Sequence, residues 1–259
     1  MTQELIVAIA AAILAMAVFV IGDRLRPKSW RHTDDEAAGT LVLDLSKTFF
    51  TAVVAFVVVI CWQQFQNAHS HTVTEAKGLV DAYWVAHFMP EPDQQRIEGL
   101  LQAYTHQVVS QDWPMMNQHG RLSPTAQHTL DTAREAVTAV RSTDPVVTDQ
   151  RSRALASLEK VAEARSDRTL DQGHSISGFL NVVLLFGTVL LLLNPVLSGV
   201  RVSWRSVVMT GLLGVVVGSA LLEIHKLDQP YAGVVVVSHE AFDQALSRYQ
   251  QISSVTGNE

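Results

Sequence analysis

The sequence predicts an all-α membrane protein with four transmembrane helices. A helical bundle is inserted between the second and third, and a short C-terminal extended segment plus a helix closes the chain. Two observations carry this reading. Apolar residues, 48% of the chain, gather in four uninterrupted blocks, each close to the roughly 20 helical residues a bilayer core requires. Between the second and third blocks lies a polar stretch whose apolar residues recur at three- and four-residue steps, the period of one helix face.

The first block, Leu5 to Gly22, has no positive charge before it and is followed by Arg24, Arg26 and Lys28. A secretory signal has the opposite charge order, so this is a retained transmembrane helix. The second block, Ser46 to Trp62, has an apolar lead-in at Leu41, Val42 and Leu43. The third runs from Ile176 to Leu193 and is closed by Asn194-Pro195; the fourth runs from Val207 to Ile224. Val57-Val58-Val59-Ile60 would also suit a buried strand of a soluble α/β protein, but four blocks of this length flanked by charge favour membrane insertion. The expected domains are 1–62 (two spans and a basic loop), 63–174 (the bundle), 175–225 (two further spans) and 226–259 (a tail docking on the bundle).

Short-loop charge sets direction. Arg24, Arg26, Lys28 and Arg31 follow the first span, and Arg201 and Arg205 lie between the third and fourth. The opposite ends are poorer in positive charge, although Arg165 and Arg168 precede the third span. This predicts a multi-pass protein of the cell (inner) membrane, with both short loops cytoplasmic and the termini and 63–174 extracytoplasmic.

In the polar middle, Phe65, Val73, Ala76, Leu79, Val80 and Tyr83 continue the second helix beyond the membrane until "MPEP" (Met89 to Pro92) ends it. Ile97, Leu100, Leu101, Tyr104 and Val108 mark the next helix, which "DWPMMNQHG" (Asp112 to Gly120) breaks. Ser123-Pro124 and Asp144-Pro145 each set a good N-cap residue before a proline at the first helical position. The stripes that follow, Ala126-Leu130-Ala133-Val137-Val140 and Ala154-Leu155-Leu158-Val161-Ala162, are thin and alanine-rich, which suits close antiparallel packing. In the tail, Asp228-Gln229-Pro230 should turn the chain and Gly233 should allow close backbone approach. The valines after it should lie extended on the bundle, and Ser238 should cap a last helix.

The pieces "DDEAAG" (Asp34 to Gly39), "EAKGLVDAYWVA" (Glu75 to Ala86), Tyr104, "DWPMM" (Asp112 to Met116), "RSDR" (Arg165 to Arg168) and "LDQPYAGVVVVSHEAF" (Leu227 to Phe242) occur in this order over nearly the whole chain. In these the chain resembles the bestrophin-like domain family of bacterial membrane proteins, a domain of undefined function. The resemblance implies four spans with the large helical insertion between the second and third, and structural roles for Glu75, Tyr104, Trp113, Pro114, Asp228, Pro230 and Gly233. A looser likeness to bestrophins implies a homo-oligomeric anion channel, by fold-level analogy. Bestrophins place their large domain in the cytoplasm, whereas the loop charges here point it outward. The alternative is an extracytoplasmic sensing or scaffolding module acting through an unidentified protein partner.

Individual residues carry two readings each. Asp44 and Lys47, three apart, share a helix face and either belong to an ion path or sit at the interface with Lys47 snorkelling to headgroups. Phe49, Phe50, Phe56 and Trp62 either form a dewetting constriction or face lipid and neighbouring helices. Gly211, Gly214 and Gly218 read as a close helix contact, and Asn181 as a cross-helix hydrogen bond. Arg165 and Arg168, with Glu163 and Asp167 nearby, either attract anions to an entrance or pair with carboxylates and headgroups.

Other classes are disfavoured. A net charge of -6 without a basic tract speaks against nucleic acid, and the single cysteine, Cys61, excludes an intrachain disulfide. "HSH" (His69 to His71) places two imidazoles on different helix faces, so no metal site is expected. No nucleophile elbow, phosphate loop or paired catalytic carboxylates occur, so neither an enzyme nor a cofactor is expected.

Overall fold

The computed structural model describes residues 2–25, 36–173, 178–198, 202–232 and 236–256. Among these the chain is helical with no strand: α1 (Thr2–Leu25), α2 (Glu36–Ala86), α3 (Asp93–Gln107), a π-helical turn (Val108–Asp112), α4 (Trp113–His119), α5 (Pro124–Ala139), α6 (Pro145–Gly173), α7 (Gly178–Leu197), α8 (Trp204–Leu227) and α9 (Glu240–Thr256). It divides into two compact units, residues 1–63 with 176–228 and residues 64–175 with 229–259.

The first unit holds the apolar helices. Leu5–Leu25, Asp44–Ala86, Leu180–Leu197 and Trp204–Leu227 contain windows long and apolar enough to cross a membrane. α1 and α8 pack along small residues. A Cβ on Gly214 would lie 2.6 Å from the Ala15 Cβ and 2.7 Å from the Ala11 carbonyl, and Gly211 and Gly218 face Met16 and Ala11. Gly187 makes room for the ring of Phe50, which is buried. Two expectations need correction here. α7 does not close at Asn194-Pro195 but runs to Leu197, since a proline so near the end forfeits only one helical hydrogen bond in a turn about to terminate. Asn181 is exposed, with no cross-helix bond among the described residues. The fourth helix starts at Trp204, where Ser203 and Ser206 form a capping box.

The second unit is a bundle of the extramembrane half of α2 with α3, α4, α5, α6 and α9 around one core. That core includes Leu79, Tyr83, Ile97, Leu101, Tyr104, Leu130, Leu158, Val161, Phe242 and Tyr249. Ser123 caps α5, its hydroxyl accepting from the Ala126 amide, and Asp144 accepts from the Val146 amide at the start of α6. The expected break at "DWPMMNQHG" is also corrected. The helix passes Pro114 through a π turn, with the Trp113 amide donating to the Val108 carbonyl, and ends at Gly120, whose φ of 60° is left-handed.

The tail docks on this unit. The Val237 amide donates to the Pro230 carbonyl at 2.7 Å, the Tyr231 hydroxyl to the Ala68 carbonyl at 3.0 Å, and the Trp113 indole to the Val237 carbonyl at 3.0 Å. Val237 is buried and Val236 partly exposed. Ser238 accepts from the Glu240 amide at 3.1 Å, one position ahead of the backbone cap His239. Gly233 and the first two of the four valines, like Arg26, Lys28, Arg31 and Arg201, lie outside the described residues.

Candidate functional site

Two groups of side chains stand out, one in each unit. In the first unit α2 leaves one side uncovered within the protomer. Leu45, Phe49, Phe56 and Val59 are 62%, 71%, 63% and 61% exposed, and Ala52 is exposed between them. Their spacing of four, three, four and three residues puts all five on one helix face. Phe50, off this face, is buried; Trp62 is exposed. Near the beginning of the stripe the Lys47 ammonium donates to the Asp44 carboxylate at 2.9 Å, with both groups substantially exposed.

In the second unit the bundle centre is ionic. Glu75 on α2 and Arg168 on α6 are fully buried and bonded at 2.6 Å. Asp112, in the π turn, accepts from Arg165 at 2.5 Å and from the Ser123 amide at 2.7 Å. The Tyr104 hydroxyl donates to Glu75 at 2.5 Å and accepts from Arg165 at 3.2 Å. Arg168 stacks over Trp113, 4.6 Å from the ring centre, with Phe242 and Tyr231 rings also within reach. The cluster is held by many elements, and it gathers Glu75, Tyr104, Trp113, Arg165 and Arg168.

Burial alone would lower the affinity of the Arg168 guanidinium for its proton. The charges of Glu75 and Asp112, the nearby Tyr231 phenol and the hydrogen bond to Glu75 together outweigh that, so Arg168 is held more firmly protonated than usual. For Tyr104 burial is the main cause of a pKa well above the ordinary value, and the neighbouring Glu75 charge adds to it. Burial likewise pushes the Tyr231 phenol up to about 12, against the opposing pull of Arg168.

The expected attraction of anions by Arg165 and Arg168 is corrected by this arrangement. Both guanidinium groups are buried, and their partners are Glu75 and Asp112 rather than Glu163 and Asp167. With two positive and two negative groups in contact, the cluster presents no net charge to solvent. Asp112 was not singled out in the sequence as an ion-pair partner, and only its place one turn beyond Val108 on the buried stripe hinted at it. His71 pairs with Asp171 at 2.8 Å and His87 with Glu98 at 2.7 Å. No group of three or more His, Cys, Asp or Glu side chains able to hold a metal occurs among the described residues.

Comparisons with known proteins agree with the architecture. The family model for the Bestrophin-like domain matches residues 9–242. A crystal structure of a variant bacterial bestrophin homolog from Klebsiella pneumoniae matches with a TM-score of 0.67 at 10% identity, covering 98% of each chain. A second variant of that homolog matches with a TM-score of 0.64 at 13% identity, over 97% of this chain and 98% of the other. At such identities the likeness is one of fold. No curated protein matches the chain.

Proposed function

We propose, from the premise that this chain belongs to the Bestrophin-like domain family, that it is a subunit of a homo-oligomeric ion channel and not an enzyme. The observation that carries this is the uncovered stripe of α2. An apolar face of Leu45, Phe49, Ala52, Phe56 and Val59 on a helix that the protomer leaves open suits the axis of a ring, where Phe49 and Phe56 form a constriction that gates by dewetting. The Asp44–Lys47 pair lies off this face, with Lys47 on the α7 side beside Gly187 and Asn194. Anions are the expected permeant ions on the family analogy alone. The Arg-bearing connectors favour both short loops in the cytoplasm and the bundle and termini outside, across the inner membrane.

Purified protein in planar bilayers tests the activity. Currents under some combination of pH, calcium and voltage support the reading, and their absence throughout refutes it. Direction is tested separately with an Arg205→Cys variant lacking Cys61. A membrane-impermeant maleimide should leave it unlabelled in intact spheroplasts, and labelling there overturns the assignment.

A further inference from the structure

A groove of about 650 Å3 runs along the bundle unit between the extramembrane half of α2 and α9. Its floor is apolar, with Val73, Val80 and Ala241, and its rim carries His69, Lys77, Asp81, Glu240 and Arg248. Lys77 and Asp81 are exposed and form no ion pair with any described residue.

The order of helices decides where this groove points. α6 packs on α2 where Gly78 meets Val161, and α9 packs on α2 where Tyr83 stacks on Tyr249 with ring centres 4.2 Å apart. α2 therefore stands between α6 and the groove. At about 100° per residue, the α6-facing positions His71, Glu75 and Gly78 and the groove-facing positions Val73 and Val80 fall on opposite flanks of the helix. Ser70, Thr74 and Asp81 lie between those flanks. With α2 turned to the axis of a ring, the groove faces one neighbour and the outer face of α6 faces the other. Ring closure requires two such different but complementary patches.

The outer face of α6 supplies the complement. The pairs His71–Asp171, Glu75–Arg168 and Gly78–Val161 run antiparallel. Glu163 is consequently level with Lys77, and Lys160 with Asp81. Glu163 and Lys160 are exposed and also form no ion pair with any described residue. Rotation about an axis parallel to α2 preserves height, so a second copy would carry Glu163 at the level of Lys77 and Lys160 at the level of Asp81.

We infer that the groove between α2 and α9 receives the outer face of α6 from a second copy of this chain, fixed by the pairs Lys77–Glu163 and Asp81–Lys160. This rests on the reading that α2 faces the axis of a ring. Two tagged chains lacking Cys61, one with Gln244→Cys and one with Glu163→Cys, are co-expressed and oxidised mildly in membranes. A mixed dimer is expected; a band no stronger than with Thr138→Cys, on the far helix α5, overturns the interface. Lys77→Glu and Glu163→Lys should each weaken assembly about tenfold and recover it together; no loss, or losses that simply add, overturn the pairing. A cross-linked ring that carries no current leaves the interface standing and removes the channel reading. A conducting ring without the cross-link does the reverse, and a monomer removes both.

Discussion

Replacing Arg168 by methionine isolates the energetic role of the buried cluster. The substitution nearly conserves volume but takes a full positive charge from a site with no solvent exposure. Glu75 then keeps the Tyr104 hydroxyl and, at 4.0 Å, the distant edge of Arg165, while Asp112 retains Arg165. One positive and two negative groups remain, a net charge of -1 inside the bundle. Removing one partner of a buried pair costs about 3–5 kcal/mol, and loss of the Trp113 stacking adds about 0.5–2 kcal/mol. The double variant Glu75→Gln/Arg168→Met restores neutrality, and the carboxamide that replaces the Glu75 carboxylate still accepts from Tyr104. Its loss should fall below that of Arg168→Met alone. Equilibrium unfolding of the detergent-solubilised protein, followed by circular dichroism, measures the double variant and the two singles, Arg168→Met and Glu75→Gln. A loss under about 1 kcal/mol for Arg168→Met, or a double variant equal to the sum of the singles, would refute the argument.

Three further outcomes are expected. The raised pKa values of Tyr104 and Tyr231 mean that the folded bundle holds its phenols protonated. Their contribution is therefore complete below the ordinary value of about 10 and declines above it, that of Tyr231 being lost as pH rises toward 12, so stability should fall in that window and less steeply in Tyr231→Phe. Gly214→Val should cost about 1–3 kcal/mol, because its side chain would enter the space of Ala15 and the Ala11 carbonyl. Gly211→Ala, whose nearest neighbour is the flexible Met16 at 3.2 Å, should be tolerated in the same melt. Phe56→Asn should raise single-channel conductance severalfold by wetting the constriction, and an unchanged conductance would take Phe56 off the path.

The helices were legible because each has a local cause. Apolar blocks of bilayer length, prolines after Ser123 and Asp144, and the stripes of the bundle all act within a few residues of chain. The errors arose where distant residues decide. Pro114 reads as a break in sequence because the π turn that accommodates it cannot be seen in a helical period of 3.6. The nearest carboxylates to the arginines in sequence, Glu163 and Asp167, are not their partners in the fold. The phase of the arginines held the better clue, since Ala154, Leu158, Val161, Arg165 and Arg168 follow steps of four, three, four and three along the buried face. Glu75 lies in the same way four residues before Leu79 on the buried face of α2.

That placement of charge has a physical reason in the thinness of the seam between α2 and α6. Ala82 on one helix and Ala164 on the other are buried, and Gly78 meets Val161. Small side chains bury little area, at about 25 cal/mol per Å2, and they differ little from turn to turn. A slip of one turn, about 5.4 Å, would move Val161 off Gly78. The same slip would carry Arg168 away from Glu75 and leave two charges unpaired in the interior, which only the observed register avoids. Tyr104 and the Asp112–Arg165 pair extend that constraint to α3 and the π turn. Replacing Glu75 and Arg168 together with leucine and methionine should therefore retain or raise the melting temperature while loosening the register of α2 on α6. Cysteine pairs across that seam would read this as cross-links at more than one spacing, and a single spacing would show that packing alone holds the register.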